Sequence, residues 1–416
     1  MTSPSLPAQD TRAASPYPQR FREAPERSTR HGKVLRRVAG VEQIDEKLLD
    51  LIGRRLYERD ELGAELVQAM RSDAADPSGR VTMAQFNKAL DEGIRVVPDA
   101  PDALVRFFAV VDEVPDWVDF DLVERGAGVL WRMGRVSTDV LLNLSLIGSY
   151  RYGGPADLLA LTGALTSSKA MRRLGETETW THAVAGAGGM RRDGQGFKLT
   201  VHVRLMHALM NNRYEHNGRW ETERWGLPIN QTDQASTLGL FNSILLMGTR
   251  FLGWRVSAED AAAFMHLWKY VGWLLGINED WLFDTEREQN AFNYHVLIAQ
   301  SGQTDAGGAL TQGILEGESR VDRGRLHPLR SWYARARLLG TLRYFLGKES
   351  MQELRIPVGL PWMVPAIFAK NLAASTVLDR TAGGRRYLEK AGAAYRKKRI
   401  DLLFEGARQK IGELPL

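Results

Sequence analysis

The sequence contains no cysteine among its 416 residues. Disulfides, zinc–thiolate sites, iron–sulfur clusters and thiolate-ligated haem are therefore excluded, and a metal would have to bind histidine, carboxylate or tyrosine. The GxGxxG, P-loop and HExxH motifs are absent as well. The sequence thus gives no indication of a dinucleotide-binding fold, a phosphate-binding loop or a zinc site of the protease type.

Uninterrupted apolar stretches are short. The longest, residues 238–254, is broken by polar side chains at Asn242, Ser243 and Arg250, and it falls short of the roughly 20 apolar residues that a membrane-spanning helix needs. A second apolar stretch, residues 356–368, contains three prolines, which prevent a continuous helix. We therefore expect no transmembrane segment.

Neither sign of charge dominates the chain. There are 55 basic and 50 acidic residues, a formal net charge of +5, so no nucleic-acid partner is expected. Residues 1–33 hold five prolines and many arginines but no apolar core of the kind that an export signal requires. We expect residues 1–40 to be a disordered lead-in and the protein to be cytoplasmic. Its oligomeric state is not indicated.

Helical periodicity dominates the rest of the chain. From Gln43 onward apolar residues recur every three or four positions, and alternating β-type runs are few. This pattern predicts an all-α fold, with one large helical domain over residues 41–416. Its core is expected over about 111–276 and a C-terminal helical cap over 277–416.

Several segments can be placed more closely. A long helical region is predicted over 119–147, and the turn 152–155 restarts the helix at a proline that suits its first turn. Residues 302–317 are rich in glycine and threonine, which predicts a surface loop. Helices return over 331–346 and 384–403.

The predicted helix Thr200–Arg213 carries His202 and His207. Five residues at about 100° each place the two rings about 140° apart, so they cannot bind one ion from one face. A single histidine on an otherwise apolar helix suits axial ligation of a haem, with Arg204 available for a propionate. The alternative is that His207 is a hydrogen-bonded core histidine, and helix geometry alone does not choose between them.

A second polar segment precedes this helix across a glycine-rich turn. Residues 172–180 read RRLGETETW, in which Arg173, Glu176 and Thr177 are spaced i, i+3 and i+4. That spacing predicts a cation, a base and a hydroxyl on one helical face, directed at one pocket. A solvated charged face is the alternative interpretation.

The ordered set of motifs resembles a known family. The run RRLGETETW, the glycine turn, VRLMHALM, and the later segments 259–261 and 266–277 resemble the latex clearing protein or rubber oxygenase family. That family shares its catalytic domain with the endoplasmic-reticulum oxygenase of mycophenolic acid synthesis. The resemblance is good over about Val111–Gly276 and loose over the C-terminal third.

This resemblance implies an all-α, globin-like haem b protein that cleaves a carbon–carbon double bond of a polyisoprenoid with O₂, in the manner of a dioxygenase. By position, the proximal histidine that holds the iron corresponds to His207. The distal arginine and threonine correspond to Arg173 and Thr177. The lysine that can occupy the distal iron position in some of these enzymes corresponds to Glu176, so the resting state and O₂ access are expected to differ.

The resemblance also implies a carboxylate base near the haem. Asp157 is the candidate by position, and Glu176 is its rival, because a carboxylate in an apolar pocket would have its pKa raised towards a useful range. Since no export signal is seen, an intracellular isoprenoid or lipid alkene is a more natural expected substrate than rubber.

Two other functions stay open from the sequence. A haem-binding sensor or carrier would keep the pocket without turnover, which the loss of the distal lysine makes plausible. A metal-free helical protein that binds a lipid or a partner would use the apolar stretch 356–368 as its surface.

Overall fold

The computed structural model describes residues 15–72, 79–163, 167–321 and 324–404. The chain is 72% helical, and the described residues contain no strand, which confirms the predicted all-α class. None of the described helices is long and apolar enough to cross a membrane. The apolar stretch 238–254 is instead divided between two helices that meet at Asn242, whose side chain caps the second.

The described residues form 21 α-helices. Six of these lie in the first third of the chain, separated by short 3₁₀ turns at Arg55–Tyr57 and Ile94–Val96. The helices are α1 (Pro25–His31), α2 (Lys33–Ala39), α3 (Glu46–Arg54), α4 (Glu61–Arg71), α5 (Met83–Glu92) and α6 (Asp102–Val111).

The expected disordered lead-in over 1–40 is wrong for residues 15–40, while residues 1–14 lie outside the described part. Pro25 begins a helix rather than a disordered stretch, because its fixed φ suits the first helical position. Arg20 is 2% exposed and pairs with Asp233 at 2.5 Å. Prolines and arginines that look like a tail in composition are therefore parts of the fold.

The central region forms ten α-helices, with a π-helical segment at Leu141–Leu146. The helices are α7 (Phe120–Met133), α8 (Arg135–Val140), α9 (Ile147–Ser149), α10 (Pro155–Leu161), α11 (Ser167–Val184), α12 (Gln195–His216), α13 (Thr222–Trp225), α14 (Gln231–Phe241), α15 (Ser243–Phe251) and α16 (Ala258–Leu274).

The last part forms five more α-helices, with a 3₁₀ turn at Glu279–Trp281 and a π-helical segment at Ala374–Leu378. The helices are α17 (Glu286–Ile298), α18 (Asp305–Arg320), α19 (His327–Glu353), α20 (Val364–Ala373) and α21 (Ala382–Leu403). The helices expected over 331–346 and 384–403 are confirmed within α19 and α21.

The surface loop expected over 302–317 is wrong, because most of that segment belongs to α18. Its glycines serve close packing rather than a turn: a Cβ on Gly307 would lie 1.9 Å from the carbonyl oxygen of Tyr150. Leu310 and Ile314 of the same helix are buried. Helix α18 therefore forms part of the wall that lies against α10 and α11.

The main core is built on the antiparallel pair α7 and α16. Gly126 permits their close approach, because a Cβ there would lie 2.4 Å from the carbonyl oxygen of Ala263. At the ends of the pair, Asp260 is held by Arg125 and Arg132 at 2.8 and 2.7 Å. A second cluster joins α10, α11, α18 and α19, and the space between the two clusters is the cavity described below.

Candidate functional site

One face of α11 forms the wall of a large cavity. Residues Leu174, Thr177, Glu178 and Thr181 line it and follow the i, i+3, i+4, i+7 spacing of one helical face. Glu176 is about 200° from Leu174 around the axis, and it pairs with Arg172 at 3.0 Å instead of lining the cavity. The predicted common face of Arg173, Glu176 and Thr177 is thus corrected: the cavity receives Arg173 and Thr177, and the carboxylate that α11 contributes to it is Glu178.

A hydrogen bond sets the register between α11 and the antiparallel helix α12. The indole nitrogen of Trp180 donates to Thr200 at 3.0 Å, and near the connecting turn a Cβ on Gly196 would lie 2.7 Å from the Cα of Val184. His207 follows Thr200 by seven residues and so lies on the same face of α12, about two turns further along. In this register His207 is level with Arg173.

The α11–α12 pair is closed at the turn and open at the other end. Trp180 and Thr200 are buried, whereas Arg173 and Thr177 are exposed and His207 is partly exposed. We call this end of the pair, away from the turn, the crevice. The predicted helical hairpin is therefore confirmed. Arg173 and Thr177 line the cavity from α11, whereas His207, on α12, is not among the residues that line it.

The ring of His207 is held by one neutral group. Its Nδ1 lies 3.2 Å from Oε1 of Gln234 on α14, and its Nε2 makes no hydrogen bond to another described residue. Burial lowers the pKa of His207, while the Gln234 contact and the charge of Asp60 act in the opposite direction. Because an amide oxygen only accepts, the proton is placed on Nδ1 and the lone pair on Nε2 is left for a metal.

Arg204, one turn before His207, has a different partner. Its guanidinium binds both carboxylate oxygens of Asp60, at 2.6 and 2.7 Å, and lies over the ring of Phe107 at 5.2 Å. Arg204 does not line the cavity. A bidentate pair of this kind satisfies the fork of an arginine, so a propionate role for Arg204 would require Asp60 to give up this contact.

Asp157 caps the start of α10. Its Oδ2 accepts hydrogen bonds from the backbone of Gly154 and from the hydroxyl of Thr304, both at 3.0 Å. Burial raises the pKa of Asp157, while the two hydrogen bonds act against that rise. The carboxylate is not part of the cavity wall, although its neighbours Ala156 and Leu159 are.

The cavity has a volume of about 1000 Å³. Much of its wall is apolar and comes from the π-helical segment and from α14, α15, α18 and α19, including Leu142, Leu146, Phe241, Ile244, Leu310 and Ile314. A π-helical segment is often found at functional sites. Several polar atoms in the wall are buried without a hydrogen-bond partner, namely Thr138 Oγ1, Glu178 Oε2, Asn293 Nδ2 and Arg396 Nε. An unsatisfied buried polar group is costly, so these atoms favour a bound partner in this space.

The sequence did not point to Gln234, Glu178 or Arg396. Gln234 is 27 residues from the histidine that it orients, and no local motif contains both. Glu178 lay inside the RRLGETETW run, where the i+4 spacing from Leu174 to Glu178 was the available signal. Arg396 donates to Ser137 at 2.6 Å from the distant helix α21.

The side chains that could bind a metal can be compared with what each kind of metal centre requires. Among the described residues no group of three or more His, Asp or Glu side chains could hold a metal ion. Non-haem centres need several such ligands, whereas a haem needs one axial ligand from the protein. A neutral histidine that is oriented through Nδ1 and has no hydrogen bond at Nε2 fits that requirement.

Comparison with known proteins agrees with this architecture. The catalytic-domain family described as ER-bound oxygenase mpaB/B'/Rubber oxygenase matches residues 131–376, more than half of the chain. The rubber oxygenase of Streptomyces sp. (strain K30) is 22% identical over 284 residues, which are 65% of this chain and 67% of that protein. The structure of latex clearing protein LCP in the closed state superimposes with a TM-score of 0.54 at 18% identity, covering 82% of this chain and 91% of that one. The chain therefore belongs to the mpaB and rubber oxygenase catalytic-domain family and is an oxidoreductase of the oxygenase class.

Proposed function

We propose that the protein is a haem b-dependent oxygenase that uses O₂ to cleave a carbon–carbon double bond in an isoprenoid or related lipid. The observation that carries this proposal is the arrangement of His207. Its Nδ1 is held by Gln234 at 3.2 Å, and its Nε2 makes no hydrogen bond to another described residue.

In this proposal each group on the crevice has a separate task. His207 would bind the iron through Nε2, and Gln234 would fix the ring and its tautomer, as outer-shell groups do in other metal sites. The bound haem would supply the activation of O₂. Arg173 and Thr177, on the facing helix, would offer a charge and a hydroxyl to O₂ and to the reacting part of the substrate.

The proton-transfer base is proposed to be Asp157 rather than Glu176. The pKa of Asp157 is raised by burial, as a general base requires, whereas Glu176 is paired with Arg172 away from the cavity wall. Asp157 binds Thr304 and Gly154 through Oδ2 alone, which leaves Oδ1 for a proton. Movement of the α10 start would be needed to bring it to a substrate.

The decisive experiment compares the visible spectra of the wild type and His207→Ala after expression with added haem precursor. The matched control is His202→Ala, a partly buried histidine of the same helix. The proposal predicts a Soret band and a haem b pyridine haemochrome for the wild type and the control, and a loss of most bound haem from His207→Ala. Equal haem content in all three proteins would contradict the assignment of His207.

Turnover separates the enzyme from a haem carrier. O₂ consumption and a carbonyl product from a polyprenyl substrate are expected for the haem-loaded wild type. The carrier is the second candidate, because Glu176 stands where the resemblance places a distal lysine. Tight haem binding without any oxygenated product from a panel of isoprenoids and unsaturated lipids would favour it, and no haem binding at all would favour a metal-free lipid-binding protein.

A further inference from the structure

The cavity reaches the surface at a mouth formed by α1, the turn 150–153 and the kink of α19. Gly347 interrupts α19 with φ +77 and ψ 173, a backbone conformation that favours glycine. The next two residues, Lys348 and Glu349, are exposed and line the cavity, as does the exposed Arg30 of α1. Deeper in the mouth lie His31, Arg151 and Tyr152.

The charges of this mouth do not balance. Arg30 pairs with Glu349 at 3.1 Å, and Arg27 pairs with Glu353 at 2.7 Å. Arg151 and Lys348 have no carboxylate partner within ion-pair distance among the described residues. Two positive charges therefore remain after the pairs are counted, and both line the cavity.

The guanidinium of Arg151 is held by two hydrogen bonds and still has free N–H donors. Its Nε donates to the carbonyl of Gly148 at 2.8 Å, and its Nη1 donates to the hydroxyl of Ser350 at 3.3 Å. It also lies 5.6 Å from the ring centre of Tyr152. An arginine has five N–H donors, so Nη2 keeps its donors for a carboxylate while the two bonds through Nε and Nη1 hold the guanidinium in place.

His31 adds a neutral donor beside this arginine. Its Nδ1 lies 3.2 Å from the Tyr152 hydroxyl, which can donate or accept. When the hydroxyl donates, the ring proton is on Nε2, the nitrogen that lies near Glu353. That Nε2 is buried without a hydrogen bond, 3.9 Å from Glu353, whose carboxylate is held by Arg27. The pKa of His31 is lowered to about 4, chiefly by burial and then by Arg151 and Arg27, so at neutral pH it offers an N–H and no charge.

Beyond the mouth much of the cavity wall is apolar, with Leu142, Leu146, Leu310, Ile314 and Leu346. A charged donor set at the entrance and this apolar part of the wall together match an amphipathic molecule. We propose that the mouth is a subsite for the carboxylate head group of a long-chain unsaturated lipid, bound by Arg151, the Nε2–H of His31 and Lys348, with the chain lying in the cavity. The head-group site stands on these contacts alone, whereas the claim that the chain's double bond reacts rests on the proposed oxygenase function.

The test is the binding of oleate and of methyl oleate to the full chain, measured by calorimetry or by displacement of a fluorescent fatty acid. The wild type should prefer the acid. Arg151→Met should weaken oleate binding roughly tenfold to a hundredfold, the range for a charged hydrogen-bonded contact, and leave the ester unchanged. Arg106→Met, an exposed arginine paired with Glu65, is the matched control and should bind like the wild type. Lys348→Gln, at an exposed position, tests the subsite independently of any folding defect and should weaken only the acid.

The other possible results would each contradict either the head-group site or the proposed oxygenase function. Equal binding of acid and ester by the wild type, or equal weakening of both by Arg151→Met and Lys348→Gln, would overturn the proposal. A loss of haem content from Arg151→Met, measured as Soret absorbance per protein, would assign the arginine to a haem propionate and would overturn it too. Acid-selective binding without any oxygenated product would leave the subsite standing and contradict the proposed oxygenase function instead.

Discussion

His207 in the crevice and His31 at the mouth are held in nearly the same way. Each has its Nδ1 3.2 Å from an uncharged side chain, Gln234 in one case and Tyr152 in the other. In each, burial is the largest cause of a lowered pKa. The two rings are therefore neutral at neutral pH, and each has an Nε2 without a hydrogen bond to another described residue.

The difference lies in the chemistry of the holding group. The amide oxygen of Gln234 can only accept, so Nδ1 of His207 carries the proton and Nε2 is a Lewis base. The Tyr152 hydroxyl can donate as well as accept, and when it donates, Nε2 of His31 carries the proton and can bind an anion. A neutral histidine thus suits a metal in the crevice and a carboxylate at the mouth. The side chain that contacts its Nδ1, Gln234 or Tyr152, determines which of the two it can bind.

Both sites depend on the N-terminal segment. His31 belongs to its first helix, α1. Arg20 of the same segment pairs at 2.5 Å with Asp233, the residue before Gln234 on α14. Breaking this ion pair should therefore disturb both histidines, whereas changes to either holding group should affect one site only.

The largest effect is expected from Arg20→Met. Removing one partner of a buried ion pair leaves an uncompensated charge and costs about 3–5 kcal/mol, so the free energy of unfolding, measured with urea, should fall by that amount. The control is Arg22→Met, whose exposed pair with Glu46 is worth about 0–1 kcal/mol. Equal losses from the two variants would show that the segment does not anchor α14.

The N-terminal segment also shows what could not be predicted from the sequence. Its prolines and arginines predicted disorder because composition does not reveal that Arg20 meets Asp233, 213 residues away. Periodicity and turn chemistry correctly placed local elements such as the proline start of α10 and the α11–α12 hairpin. They failed at α18, where glycines serve helix packing, because a contact such as Gly307 against Tyr150 is tertiary.

For the candidate site, too, the sequence predicted some residues and missed others. His207, Arg173 and Thr177 were singled out by local patterns and by resemblance. The structure places Arg173 and Thr177 on the cavity wall and His207 on the adjacent helix α12, outside the cavity lining. Gln234, which orients His207, and Asp60, which binds Arg204, come from other helices. A hydrogen-bond partner that is distant in sequence leaves no periodic or motif signal, so the orientation of these side chains required the fold.

A smaller effect is expected when pH is varied for the wild type and His31→Gln. The pKa of His31 is 6.5 when unperturbed and about 4 in the fold, so the unfolded chain binds the proton more readily. The stability linked to His31 is therefore fully present above pH 6.5 and is lost as the pH falls from 6.5 towards 4. This shift corresponds to at most about 3 kcal/mol.

The measurement is the difference between the two unfolding free energies at a series of pH values, in which the other titrating groups largely cancel. The wild type should lose its advantage over His31→Gln across that window. Parallel curves would mean that burial and the charges of Arg151 and Arg27 do not hold His31 in its neutral form, and the similarity drawn between His31 and His207 would be wrong.

Gln234→Leu should act on the crevice alone. Loss of the group that orients a metal-binding histidine typically weakens metal binding roughly tenfold to a hundredfold, so we expect that loss in haem affinity, measured by titration of the haem-free protein. Gln234→Glu keeps an acceptor for the Nδ1 proton and should retain haem. Oleate binding should be unchanged in both variants, since the mouth is not altered. Wild-type haem affinity in Gln234→Leu would show that the tautomer of His207 is set by something else.

The smallest effect is expected from Tyr152→Phe, which removes one hydroxyl and keeps the ring that Arg27 and Arg151 contact. Loss of a single neutral hydrogen bond costs about 0.5–1.5 kcal/mol, and the free energy of unfolding should fall within that range. Because Nδ1 of His31 would no longer need to accept, the Nε2–H tautomer would lose its preference, and oleate should bind a few-fold more weakly while haem affinity stays unchanged. Oleate binding equal to that of the wild type would mean that His31 does not donate to the carboxylate, and Arg151 and Lys348 would then account for the head-group site without it.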